Sequence, residues 1–194
     1  MLPKEQHHRR SIRLKEYDYS QAGAYFVTVC VRGRECLLGD ALDGKMQMND
    51  IGLVVVDCWE WLFRRYEYVI LDEWIVMPSH LHGIIVINDE CRGGSRTAPT
   101  NAKRKPLGRL VGAFKTVSTK RINQVRGSPG IPLWQRNYYE HIIRNEDELN
   151  RIREYILNNP LQWQFDRENP EQVQNKAYDD QWGRFEERIY GKTK

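Results

Sequence analysis

The sequence predicts an α+β domain whose elements run strand, helix, strand, strand, helix, strand, helix. Three observations predict it. Short apolar runs rich in β-branched residues alternate with segments of helical apolar spacing. Asparagines and prolines stand where helices should start and stop. A loop bearing glycine, serine and proline divides the chain near its middle.

The first strand is AYFVTVCV, residues 24–31, dense in β-branched and aromatic side chains. Residues 32–50 turn to Gly, Asp and Arg, which fits a loop or a short hairpin. Asn49 or Asp50 caps a helix from about Ile51 to Tyr66, with Val54, Val55, Cys58, Trp61 and Leu62 at helical spacing. In residues 69–87 two apolar runs flank Met77-Pro78-Ser79, predicting two antiparallel strands joined by a tight connection. After the loop at 89–106, residues 107–123 give a helix with Leu107, Leu110, Val111, Phe114, Val117 and Ile122 on its apolar side. GSPGIP at 127–132 breaks the chain, and LWQRNYYEHII at 133–143 reads as the fourth strand with its approach. Asn145 caps the last helix, with Glu148 three residues on as in a capping box, and the helix stops at Asn159-Pro160. The first six elements match a ferredoxin-like antiparallel sheet with helices on one face, and the C-terminal helix is an addition to it. The expected organisation is a basic arm at 1–20, one domain at 21–163, and a polar tail at 164–194, rich in Gln, Asn and Trp.

No run approaches the roughly 18 apolar residues of a membrane span, and the polar start MLPKEQHHRR lacks the apolar core of a secretory signal. The four cysteines form no Cys-x-x-Cys pair, which excludes a zinc knuckle. A cytoplasmic protein with reduced thiols is expected. Net charge is only +4, but from Arg92 to Arg126 there are ten Lys and Arg residues and no Asp or Glu. That run is either a solvated basic face or the footprint of a polyanion.

Two motifs carry chemistry. His80 and His82, two of five histidines, flank Leu81 on a predicted strand, so both imidazoles leave one face and can share a divalent metal. Alone the pair is weak evidence, and it needs a third ligand from another element. On the last helix, at about 100° per residue, Tyr155 and Asn159 stand about 40° apart on one side. The plain reading is a tyrosine at the core edge and an asparagine ending the helix. Joined to the histidines, the set becomes specific: a phenol is a poor nucleophile near neutral pH until activated. A cation can polarise a phosphate, and two neutral imidazoles with an amide oxygen leave its charge uncancelled. The mixed nitrogen and oxygen donors suit Mg²⁺ or Mn²⁺.

The segments VMPSHLHGIIVI, GAFKTVSTKRIN and WQRNYYEHIIRNEDELNRIREYILNNP resemble the single-tyrosine HUH transposases, nearest to the REP-associated tyrosine transposase branch. The resemblance spans roughly residues 20–163 and is most specific in its last block. It implies a catalytic domain in which the added helix carries the nucleophile Tyr155, and His80, His82 and Asn159 hold the metal. It implies cleavage of single-stranded DNA at hairpin-forming palindromes through a 5′-phosphotyrosine link that allows rejoining. His141, in the same block, is read as a group standing behind the ligands or carrying a proton. Lys103, Arg104, Lys105, Arg109, Lys115, Lys120 and Arg121 are the expected backbone contacts, with Arg136 and Tyr138 beside the strand. Arg9, Arg10 and Arg13 could reach a groove. The expected partner is single-stranded hairpin DNA, not a membrane, and the chain is read as monomer or homodimer. Two other readings stand beside this one: a catalytically silent single-stranded nucleic-acid-binding domain, and a metal-dependent nuclease that uses water.

Overall fold

The computed structural model describes residues 16–89, 104–174, 176–183 and 185–187. Among these, a four-stranded antiparallel sheet is built from β1 (Gly23–Cys30), β4 (Val69–Val76), β5 (His80–Ile87) and β6 (Tyr139–Ile143), in the order β4-β5-β1-β6. The residues expected to be a loop or short hairpin form β2 (Gly39–Leu42) and β3 (Lys45–Met48). The helices are α1 (Asp50–Arg65), α2 (Leu107–Val125) and α3 (Glu146–Asn158). A 3-10 turn, Asn159–Phe165, follows α3, and short helical turns lie at Lys176–Tyr178 and Asp179–Gly183.

The strand order is that of the ferredoxin-like arrangement, with α1 and α2 on one face. Because side chains alternate along β1, Tyr25, Val27, Val29 and Val31 join α1 and α2 in one core. Phe26 faces the other way, into a second cluster with Ile84, α3 and the C-terminal segment. Asn49 is the cap of α1, its side chain accepting from the amides of Ile51 and Gly52 at 3.0 Å. At α3, Asn145 accepts from the Glu148 amide at 2.8 Å. The Glu148 carboxylate accepts from the Arg144 amide at 2.9 Å, one residue earlier than a standard capping box. The fourth strand is shorter than expected. Pro132 cannot donate to a ladder, and Trp134 meets Val31, just past the end of β1, in an isolated bridge.

Two features aim α3 across the sheet. A register shift between Leu71 and Trp74 interrupts the β4–β5 ladder beside Asp72. Asp72 then takes a two-pronged ion pair from Arg153 on α3, at 2.6 and 2.7 Å, which holds its carboxyl below the ordinary range. The expectation of a polar tail does not hold for its described part. Asp166, Glu168, Tyr178, Trp182 and Phe185 are buried, because the turn after Pro160 folds the chain back over the second face. Residues 1–15 of the expected arm lie outside the described residues, as do Lys103, Arg9, Arg10 and Arg13. No described helix is long and apolar enough to cross a membrane.

Candidate metal and tyrosine site

His80 and His82 emerge from β5 on the second face, fully buried, with ring centroids 4.3 Å apart. Gly83 follows because Trp59 from α1 lies against its backbone on the first face. A Cβ there would meet the Trp59 ring at 2.5 Å. Each imidazole is held from behind at Nδ1. Thr28, the cross-strand neighbour of His82, places Oγ1 2.8 Å from its Nδ1. Ser79 Oγ lies 3.3 Å from His80 Nδ1 and donates its own proton to the Glu168 carbonyl. The serine can therefore only accept from His80, which leaves the lone pair on Nε2. The Nε2 atoms of both rings are buried and meet no hydrogen-bond partner among the described residues. Burial, reinforced by His82, pushes the His80 imidazole down to about 3, so it is neutral, as a ligand must be.

The third group beside them is Asp166, from the expected tail. Ligand atoms of His80, His82 and Asp166 all lie within 4.8 Å of one another. Burial by itself would raise the Asp166 carboxyl, but the imidazoles and the Asn159 amide outweigh it and hold it below the ordinary range. Asn159, the expected third ligand, stands beside that carboxylate. Its Nδ2 donates to Asp166 Oδ2 at 2.7 Å, and its Oδ1 is buried without a partner among the described residues. The Glu168 amide donates to the other carboxylate oxygen at 2.6 Å. The sequence reading missed Asp166. The signal available was an acid that directly follows Trp163 and Phe165 just after the helix stop.

The donor set fits a divalent cation on the strength of the orphaned nitrogens: two imidazoles whose Nε2 atoms meet no hydrogen-bond partner among the described residues converge on one carboxylate. With one carboxylate present, about one positive charge of such a cation would remain, rather than the two implied by an amide ligand.

Tyr155 reaches the same place from α3. Its ring centroid is 5.4 Å from that of His82. It is only 1% exposed, packed by Trp182 and Phe185 at 5.5 and 5.1 Å. Its hydroxyl donates to Glu186 Oε1 at 3.1 Å, and Tyr178 donates to the same oxygen at 2.6 Å. Burial pushes the Glu186 carboxyl up.

His141 sits on β6 with its Nε2 3.0 Å from Glu148 Oε1, so it ties the start of the tyrosine helix to the sheet edge. The expected DNA contacts among the described residues do not form one patch. Lys115, Lys120 and Arg136 line one cavity. Arg104 pairs with Asp89, and Lys105 lies over the Tyr66 ring, at the far end of the β4–β5 hairpin. Arg121 is paired with Asp57 of α1. Arg109 is exposed on the first turn of α2, and Tyr138 packs at the edge of the first core.

No family model matches the chain. It is 41% identical over 169 residues to an uncharacterized protein of Haemophilus influenzae, a match covering 83% of this chain and 93% of that protein. Its architecture is similar to the structure of a REP-associated tyrosine transposase bound to a REP hairpin. That likeness has a TM-score of 0.54 at 20% identity and covers 78% of this chain and 73% of the other. At that identity the likeness is one of fold.

Proposed function

We propose that this chain, which belongs to one family with the uncharacterized Haemophilus influenzae protein, is a metal-dependent tyrosine transposase acting on single-stranded DNA at hairpin-forming palindromes. The observation that carries the reading is the convergence of the orphaned Nε2 atoms of His80 and His82, the Asp166 carboxylate and the Tyr155 ring. Mg²⁺ or Mn²⁺ held by His80, His82 and Asp166 would polarise the attacked phosphate. Asn159 positions Asp166, and Thr28 and Ser79 orient the imidazoles.

In this reading the Tyr155 oxygen attacks the phosphorus of one phosphodiester. A phenol O–P bond forms, the bond from phosphorus to the 3′ oxygen breaks, and that oxygen leaves as a 3′-hydroxyl after taking a proton from water. The phenol's own proton passes to Glu186 in its ionised form, whose carboxylate accepts the phenol's hydrogen bond. The product is a 5′-phosphotyrosine link, and attack by a 3′-hydroxyl reverses the step and restores the phenol. Substrate reaches the phenol only when Trp182 and Phe185 move off it.

The test is a labelled single-stranded hairpin substrate incubated with Mn²⁺ or Mg²⁺ and run on a denaturing gel. A covalent protein–DNA adduct is expected, and Tyr155→Phe should abolish it. Cleavage that survives Tyr155→Phe would instead identify a nuclease using water. Binding with no cleavage by the wild-type chain would leave only a nucleic-acid-binding domain.

A further inference from the structure

The tyrosine helix crosses the sheet over one row of residues. Antiparallel pairing sets Ile84 of β5 against Phe26 of β1, and Phe26 against His141 of β6. On β4, Leu71 pairs with Ile85 and Trp74 with Gly83, so Asp72 and Glu73 together stand opposite Ile84. The row Asp72, Ile84, Phe26, His141 therefore runs from one edge strand to the other, over three strand spacings of about 4.8 Å each. Its two middle members are apolar and pack with Ile152, Tyr155 and Ile156 of α3. Its two end members hold α3 by polar contacts. His141 Nε2 lies 3.0 Å from Glu148 Oε1 near the helix start. Asp72 takes both prongs of Arg153, about one and a half turns further on.

The Asp72 end is held from both sides. Two residues facing one make a β-bulge, which bends its strand and re-aims a side chain. Within it the Glu73 N–H donates to Asp72 Oδ1 at 2.8 Å and fixes the angle of the carboxylate. From α3, Arg153 Nε and Nη2 donate to Oδ1 and Oδ2 at 2.7 and 2.6 Å, a paired geometry that specifies direction as well as attraction. Arg153 Nη1 donates to Asn150 Oδ1 at 2.9 Å, one turn earlier, so the guanidinium is fixed to its own helix too. The two side chains are 34% and 20% exposed, which leaves the pair less screened than one at the open surface.

The next row on the same face carries the chemistry. His82 stands there between Ile75 of β4 and Thr28 of β1. Two residues of strand separate the rows, about 7 Å. Tyr155 bridges them, its ring centroid 6.3 Å from that of Phe26 and 5.4 Å from that of His82. The apolar contacts of Ile152 and Ile156 attract α3 to the sheet but are non-directional, so they set no tilt. The forked pair two residues before Tyr155 does.

We propose that Asp72 and Arg153 are positioning residues for Tyr155: their two-pronged pair, opposed across the sheet by His141 and Glu148, fixes the tilt of α3 and with it the reach of the phenol beside His82. The proposal rests on the reading of Tyr155 as the nucleophile. Single-turnover adduct formation tests it, using the full chain in excess over a labelled single-stranded hairpin with Mn²⁺. The amplitude reports the folded, active fraction, and the rate constant at saturation reports the reacting geometry. Asp72→Asn and Arg153→Gln should each lower that rate constant about tenfold to a hundredfold, the scale of an ångström's misplacement. Both side chains are partly exposed, so neither change opens the core. Hairpin affinity, read by fluorescence anisotropy, should be unchanged in both. The double variant should be no slower than the slower single, because the two residues act as a unit. A pair that serves folding alone would lower the amplitude and the urea midpoint and leave the rate constant at its wild-type value, and that result overturns the proposal. So does a loss carried by weaker hairpin binding, or single losses that add in the double variant. Absence of any adduct with the wild-type chain overturns the functional reading beneath, and this proposal with it.

Discussion

On the face of the sheet that α1 and α2 cover, Val27, Val29, Leu81 and Ile85 meet Leu62, Trp59 and Phe114 in an apolar core. One residue away along the same strands, Thr28, His80 and His82 are equally buried on the opposite face, beside Asn159, Asp166 and Glu168. The two faces share their backbone and its hydrogen bonds, so they differ only in what their side chains gain from burial. Apolar burial stabilises the first face by roughly 25 cal/mol per Å² removed from water. On the second, each buried polar group costs free energy unless a partner answers it, and several answers are missing. Strand alternation thus lets one sheet carry a stabilising apolar face and a face that gathers buried polar groups.

The largest effect should come from breaking the first face. Leu62→Ala, at a fully buried position on α1, should cost roughly 2–5 kcal/mol of unfolding free energy, while the protein that stays folded cuts at the wild-type rate. His82→Ala should do the reverse, abolishing cutting with a smaller loss of stability. Urea unfolding and adduct yield read the two quantities separately. If Leu62→Ala slows cutting per folded molecule as much as His82→Ala does, the faces are not separable.

A smaller effect should come from satisfying the second face. A cation that binds only the folded chain, at about a hundred times its dissociation constant, should add about 2.7 kcal/mol. For a chain of this length that is on the order of 5–10 °C in Tm. Scanning calorimetry with and without Mn²⁺ should show the shift in the wild-type chain and in Leu62→Ala. It should be absent in His82→Ala and reduced in Asp166→Asn. A shift of equal size in His82→Ala would place the cation elsewhere.

The same division explains what could be read from the sequence. The helices were legible on both faces because apolar period and caps are local: Asn49, Asn145 and the stop at Asn159-Pro160 mark helix ends within a residue or so. His80, His82 and Tyr155 were legible as a spacing joined to a family resemblance. Asp166 was not, because it meets the histidines only after the chain doubles back, and it sits among residues whose composition reads as a solvated tail. Trp182, Phe185 and Glu186 were hidden for the same reason. Nothing local separates an aromatic that packs over a buried tyrosine from one that lies at a polar surface.

The finest prediction concerns that cap. Glu186 is largely buried and its carboxyl is pushed up, so the folded chain holds its proton more firmly than the unfolded chain does. The contribution to stability is therefore full below the ordinary glutamate range, near 4.5, and is lost as pH rises through the raised value. Once ionised, the carboxylate loosens the segment that packs Tyr155, and the segment should open more often toward neutral pH. Hydrogen exchange of the amides at 178–186 should show protection that falls as pH rises above that range, after correction for the intrinsic exchange rate. Glu186→Gln keeps an acceptor for Tyr155 and Tyr178 but cannot ionise, so its protection should be flat over the same interval. A wild-type profile as flat as that of Glu186→Gln would mean that the cap is held by Trp182 and Phe185 alone. The second face would then differ from the first only at His80, His82 and Asp166.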